Sequence, residues 1–295
     1  MERISPRTAE AWAAAGQYFD WNGQRIFYRV DGPADAPPLL LLHGFPTASV
    51  DWLPLWADLA KDWRVLAFDY LGFGLSPKPR RHRYSIHEQA DIAAALTDER
   101  FGRDFHILTH DYGVSVAQEL LARSAEGGLP HRALSCVFLN GGLLPEQHRA
   151  LPIQKLLAGP FGWIFVHLMN RERFMARFAG VFGPDTQPSA DELEAFWSMI
   201  AASGGNRIQH KLLHYIADRR VHGDRWRAVI ADPPCPIGLI NGSLDPVSGA
   251  HLANAVAALN PAIPVRRLPH IGHYPQTEAP DLVRDAFREF HANPA

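Results

Sequence analysis

Ile107-Leu108-Thr109-His110-Asp111-Tyr112-Gly113-Val114-Ser115-Val116-Ala117 decides how the rest of the chain is read. An apolar, β-type run from Phe105 to Leu108 stops abruptly, and Val116, Ala117, Leu120 and Leu121 then recur at helical spacing. Such a pattern predicts a strand, a sharp turn and a helix, with one residue held at the apex. The strained turn requires small residues two positions either side of the apex. Thr109 and Gly113 bracket Asp111 in this way, and Gly113 can adopt whatever backbone angles the turn demands. Thr109 is larger than the glycine usual at that position. A rival frame, Gly113-Val114-Ser115-Val116-Ala117, reads as small-x-Ser-x-small and would make Ser115 the apex. It places Ser115 a helical turn beyond the strand, where its hydroxyl is free to bond a carbonyl of its own helix. The apex is therefore assigned to a carboxylate.

Upstream, Phe19 to Arg29 reads as a hairpin turning at Asn22-Gly23. Leu39 to Leu42 is a buried strand that ends at His43-Gly44-Phe45-Pro46. Asp51 to Ala60 reads as a helix and Arg64 to Asp69 as a strand, while Ser85 and Glu88 have capping-box spacing ahead of a helix from Ala90 to Leu96. Leu134 to Leu139 is a further strand, closing in Asn140-Gly141-Gly142. From Leu143 to about Trp226 no strand pattern occurs. Helical pieces rich in large apolar residues are punctuated there by Gly159-Pro160, Gly183-Pro184 and Ser203-Gly204-Gly205. Strand–helix alternation then resumes: Pro236 to Gly242, Val247 to Leu259, Ile263 to Leu268, Pro280 to Phe290. This order predicts an α/β fold with a mostly parallel central sheet flanked by helices. Its core is made of residues 1–142 and 227–295, with residues 143–226 inserted as a helical lid.

The 295 residues are 47% hydrophobic and 11% aromatic, enough for one large core. Twenty-nine basic against 31 acidic residues give a net charge of −2, which offers no electrostatic basis for binding nucleic acid or an anionic membrane. The Arg80-Arg81-His82-Arg83 cluster is short and reads as a solvated loop. Cys136 and Cys235 lack metal-ligand spacing and read as buried free thiols, in keeping with a reducing, cytoplasmic setting. Met1 to Pro6 lacks the apolar core of a signal peptide, and no stretch has the apolar length of a membrane span. Gly72-Phe73-Gly74 lacks the third glycine of a nucleotide loop. No cofactor and no metal are expected, and the partner is expected to be a small apolar molecule.

Asp111, Asp245 and His273 each follow a predicted strand, at the end where such sheets bind ligands. Any one of them alone would pass for a turn or surface residue. The order apex residue, acid, histidine makes them a set. His270 lies near His273, but the Gly272-His273 pair marks His273 as the member of the set. His110 adjoins the apex and is read as structural, within reach of the loop around His43.

His43-Gly44-Phe45-Pro46, Asp69-Tyr70-Leu71-Gly72-Phe73-Gly74-Leu75-Ser76 and His110-Asp111-Tyr112-Gly113 resemble the epoxide hydrolase/haloalkane dehalogenase branch of the α/β-hydrolases. Within that branch the mesoderm-specific transcript protein group is closer still. Tyr84-Ser85-Ile86-His87-Glu88-Gln89-Ala90, Val181-Phe182-Gly183-Pro184, Leu244-Asp245-Pro246-Val247 and Gly272-His273-Tyr274-Pro275-Gln276 are all similar to that group. The resemblance runs from about Phe19 to the C-terminus. It implies an Asp111–Asp245–His273 triad with an oxyanion hole from the backbone N–H groups of Phe45 and Tyr112.

A carboxylate attacking an ester or amide would give a reactive anhydride. Attack on an sp³ carbon of an epoxide or alkyl halide gives a plain alkyl ester. Epoxide opening needs a proton donor, which related hydrolases take from lid tyrosines; Tyr215 stands in a similar place. Halide release needs N–H donors, usually a tryptophan after the nucleophile and a tryptophan or asparagine after His-Gly. Tyr112 and Phe45 occupy those places, and a phenylalanine side chain donates nothing. A dehalogenase would have to draw on Trp163 or Trp197 of the lid, which are also expected to contact substrate. Epoxide hydrolysis is thus the first expectation and haloalkane dehalogenation the second. A weakly active or non-catalytic scaffold is a third reading, and a Ser115 esterase the last.

Overall fold

The computed structural model describes residues 2–147, 149–159 and 161–292. Eight strands form one sheet in the order β1-β2-β4-β3-β5-β6-β7-β8. β1 (Gln17–Trp21) and β2 (Gln24–Asp31) make the anticipated hairpin, and β2 runs antiparallel to β4 (Arg64–Phe68). β3 (Pro38–Leu42), β5 (Phe105–Asp111), β6 (Ala133–Gly141), β7 (Ile237–Gly242) and β8 (Val265–Leu268) continue the sheet in parallel. Leu39 to Leu42 are fully buried because a central parallel strand is covered on both faces. Each such leucine contributes roughly 2 kcal/mol of apolar burial.

Helices α1 (Pro6–Ala14), α2 (Leu53–Asp62), α3 (Ile86–Phe101), α4 (Tyr112–Ala125), α12 (Ala250–Leu259), α13 (Pro275–Glu278) and α14 (Pro280–Ala292) belong to the core. Between β6 and β7 lie α5 (Pro152–Ala158), α6 (Gly162–Phe165), α7 (Arg171–Phe178), α8 (Ala190–Ala201), α9 (Gln209–Leu212), α10 (Tyr215–Val221) and α11 (Gly223–Ala231). This is the all-helical insertion, and α11 carries it past Trp226. Pro160 of the Gly159–Pro160 breaker lies outside the described residues.

Several local expectations shift for physical reasons. α1 was not anticipated; Ser5 caps it by accepting from the Thr8 N–H, with Pro6 at its first position. The helix expected from Val247 starts only at Ala250. The intervening residues are committed to Asp245 instead, with the Val247 N–H and the Ser248 hydroxyl both donating to its carboxylate. Ser85 does cap α3, but the Glu88 carboxylate meets His82 Nε2 at 2.8 Å instead of returning to the cap. Cys136 is buried as expected, and Cys235 is half-buried.

The chain passes from β3 outward to β4, then returns to place β5 on the other side of β3. The direction of winding reverses there, and the carboxyl ends of β3 and β5 open a crevice between them. His43 to Phe45 leave one side of it and Asp111 the other.

Candidate active site

Asp111, the last residue of β5, sits at φ 45°, ψ −102°, immediately before the first residue of α4. A non-glycine residue held in that region costs of order 1–3 kcal/mol and persists only where its surroundings fix it. Those surroundings are tight. A Cβ on Gly113 would lie 2.6 Å from the Leu42 carbonyl oxygen, and one on Gly141 2.9 Å from Asp111 Cα. Gly113 and Gly141 thus supply the clearance that Thr109 does not, and β5 and β6 shift register between Thr109 and Asp111.

One oxygen of the Asp111 carboxylate, Oδ2, accepts from the Phe45 N–H at 2.9 Å. The other, Oδ1, lies 3.9 Å from His273 Nε2. No hydrogen bond from the Tyr112 N–H to that carboxylate is found among the described residues, so one of the two anticipated backbone donors is engaged. Ser115 lies inside α4, fully buried, and its hydroxyl accepts from Arg219 Nε at 2.7 Å instead of bonding its own helix.

His273 Nδ1 donates to Asp245 Oδ2 at 2.7 Å. Asn140 Nδ2 and the Ser248 hydroxyl donate to the same oxygen, and the Val247 N–H donates to Oδ1. Burial alone would raise the Asp245 carboxyl; the neighbouring His273 charge and these donors overcome it and hold the carboxyl below its ordinary range. Burial likewise opposes charge on His273. The carboxylates of Asp245, Asp111 and Glu278 outweigh that effect and raise the imidazole above its ordinary value. His270 is exposed and takes no part. His110 Nε2 donates to the His273 carbonyl at 2.7 Å. That corrects the expected partner around His43 and makes His110 a backbone support for the neighbouring loop. Burial holds its pKa down to about 3, so the ring is neutral.

Sequence reading missed two residues here. Glu278 accepts from the N–H groups of Gly183, Gly272 and Tyr274 and from the Thr186 hydroxyl. Its carboxylate thereby ties the His273 loop to the insertion. Arg219 is 2% exposed. Its Nη2 donates to the Asp111 carbonyl at 3.1 Å, and its guanidinium carbon sits 4.6 Å over the Tyr215 ring. Nη1 has no partner, and no carboxylate pairs with this cation among the described residues. Their common helix, with Tyr215 and Arg219 four residues apart, was the signal available in the sequence.

The cavity above Asp111 measures about 370 Å³. Asp111, His273, Tyr274 and Phe45 form its floor, and Leu157, Phe165, Phe174, Phe178 and Leu213 are among its apolar walls. Two lid expectations are corrected. Trp163 is 60% exposed and lines no part of the cavity, because it lies on the outer side of the short helix α6, whose Phe165 takes the cavity side. Trp197 packs 5.6 Å from Phe174 and so lies one layer behind the wall. Tyr215 is also one layer back, its ring 5.2 Å from that of Tyr112 and 6.0 Å from that of Phe45. Its hydroxyl is buried without a partner. Burial, then the Asp111 charge, raise its pKa above that of an ordinary phenol, and Arg219 opposes them.

A parallel sheet that presents a strained elbow at its switch point, with an acid and a histidine following in that chain order, defines an α/β-hydrolase. The α/β hydrolase fold family matches residues 37–280, and the chain belongs to it. The chain is 40% identical over 299 residues to the human mesoderm-specific transcript homolog protein, covering 98% of this chain and 89% of that one. It is 38% identical over 283 residues to LipZ of Mycobacterium tuberculosis, covering 96% and 97%. A haloalkane dehalogenase of Mycolicibacterium paratuberculosis is 33% identical over 135 residues, 45% of this chain and 43% of that one. Among solved structures, haloalkane dehalogenase DbeA from Bradyrhizobium elkani shares the fold with a TM-score of 0.77 at 23% identity, over 94% and 97% of the two chains. The chain is thus a hydrolase-family protein with dehalogenase-like relatives.

Proposed function

We propose that the chain hydrolyses an epoxide on a small or medium apolar substrate through an ester on Asp111. The observation that carries this reading is a carboxylate at the elbow apex, one oxygen on the Phe45 N–H and the other facing His273 Nε2. Asp111 Oδ1 attacks an epoxide carbon, the ring C–O bond breaks, and the Tyr215 hydroxyl, brought forward from one layer behind the cavity wall when substrate is bound, protonates the departing oxygen. The unpartnered Tyr215 hydroxyl, buried within reach of the Asp111 charge, supports that role. His273 Nε2 then takes a proton from water as the water adds to the Asp111 acyl carbon. The Phe45 N–H, joined by that of Tyr112 once the carbonyl charge develops, stabilises the oxyanion. Collapse expels the second diol oxygen, which takes the proton held by His273, while the proton of the new carboxyl group returns to the Tyr215 oxygen, so that the diol leaves and the carboxylate, the neutral imidazole and the phenol are all restored. Asp245 orients His273 and balances its positive charge.

Haloalkane dehalogenation is the second reading, suggested by the names of relatives. The inner cavity disfavours it. Phe45 offers a halide no side-chain N–H beside Asp111, and Trp163 is 60% exposed on the outer side of the insertion. Intact mass separates the readings when wild type and His273→Gln are incubated with styrene oxide, 1,2-epoxyhexane and 1-bromobutane. An adduct on Asp111 of His273→Gln from an epoxide, with Tyr215→Phe slowing its formation about 100-fold, is the expected result. An adduct only from the bromide would make the chain a dehalogenase. No adduct and no turnover would favour a scaffold, and an ester probe on Ser115 would overturn the elbow assignment.

A further inference from the structure

Eleven large apolar side chains are exposed among the described residues, and six of them lie between positions 153 and 168. Phe161 and Trp163 are 61% and 60% exposed, with Ile153, Leu156, Ile164 and Leu168 beside them in sequence. An apolar concentration of that kind on a surface marks a contact site, whereas scattered single residues do not. Ile153, Leu156 and Leu168 also line the outer end of the cavity above Asp111. The patch therefore runs into the cavity, whose lining there also includes Gln154, Asn170, Arg173 and Arg177. No helix of the described residues is long and apolar enough to cross a membrane, so any contact of this face with a bilayer is peripheral.

Charge selects the partner. Residues 151–180 hold four basic side chains, Lys155, Arg171, Arg173 and Arg177, against one acidic, Glu172. That segment is net +3 within a chain of net −2. Arg171 is paired with Glu194; Lys155, Arg173 and Arg177 are exposed and pair with no carboxylate among the described residues. Exposed tryptophan, phenylalanine and aliphatic groups rimmed by free cations match the headgroup boundary of an anionic bilayer. A second copy of the chain would bring the same positive rim against itself.

We infer that the 153–168 face of the insertion docks on an anionic lipid surface and opens the cavity towards the apolar molecules dissolved there. This goes beyond the reaction assigned to Asp111 and does not depend on it.

The test is flotation of the full chain with vesicles of phosphatidylcholine, alone or with 30 mol% phosphatidylglycerol. Expected are binding to the mixed vesicles at least about tenfold above neutral ones at low salt, and its loss in 0.5 M salt. Phe161→Ser/Trp163→Ser and Lys155→Glu/Arg173→Glu should each lower binding about tenfold or more with unchanged Tm. Trp163→Phe should still bind while losing the tryptophan quenching that brominated lipid produces in wild type. No binding at low salt, or binding that both double variants leave intact, would overturn the inference. So would a dimer in light scattering that Phe161→Ser/Trp163→Ser dissociates, because a second copy would then cover the face.

Discussion

The floor of the cavity and its roof are held by opposite means. On the floor, the two carboxylates that flank His273 are tied by charge-assisted hydrogen bonds: Asp245 by Asn140, Ser248 and Val247, and Asp111 by Phe45. Bonds of this kind fix positions to fractions of an ångström. The roof is made of short helices that line the cavity mostly with apolar side chains, Gln154, Asn170, Arg173 and Arg177 apart, and that leave Ile153, Leu156 and Leu168 partly in solvent. Apolar contacts fix volume and leave orientation loose. In the proposed reaction, attack and ester hydrolysis therefore belong to the floor, while the roof supplies the Tyr215 proton and the choice of substrate. Arg219 breaks the division. It comes from the roof, yet reaches the Asp111 carbonyl and Ser115 on the floor.

The sharpest break comes from the floor. Asp111→Ala should lower kcat/KM by at least about 10⁴-fold and abolish any adduct by intact mass, since the remaining site retains only binding and general polarity. Arg219→Met tests the link between floor and roof. Expected is a kcat lower by about 100-fold with KM changed less than about threefold, because the residue acts on Asp111 and Tyr215 and not on bound substrate. Arg219→Lys should recover part of kcat by retaining the charge, and a purely structural role would show no such recovery. Glu278→Gln should cost about 2–3 kcal/mol in urea unfolding, because an amide turned towards several N–H groups leaves donors unsatisfied. Trp163→Ala should change stability by less than about 0.5 kcal/mol, as its side chain is largely in solvent; a larger loss would mean the roof is packed more like the floor.

The floor was the more legible half because it is written locally. The Phe105 to Ala117 stretch contains its own strand, turn and helix, and Asp245 and His273 each follow a strand of their own. The roof was legible only as helices. Which face of α6 or α8 meets the cavity depends on packing between distant segments, so Trp163 and Trp197 were misplaced. Asn140 was visible as a strand end, but its bond to Asp245 joins residues 105 positions apart. Arg219 and Glu278 escaped notice for the same reason. Ser115 and Asp111, which Arg219 bonds, and Gly183 and Thr186, which Glu278 bonds beside its nearer partners, lie across the fold, and the four-residue spacing of Tyr215 and Arg219 is the one local sign of either residue.

The raised basicity of His273 leads to a final point about timing. Part of that basicity comes from the Asp111 carboxylate 3.9 Å away. In the proposed reaction, forming the ester consumes that charge. The imidazole then holds a proton less firmly at the moment a neutral nitrogen is needed. Before attack, a proton on His273 helps to balance the two carboxylates around it; after attack, one of them has been neutralised. In the proposed reaction the ring would thus register whether the site is loaded, and the intermediate itself would prepare the base that removes it.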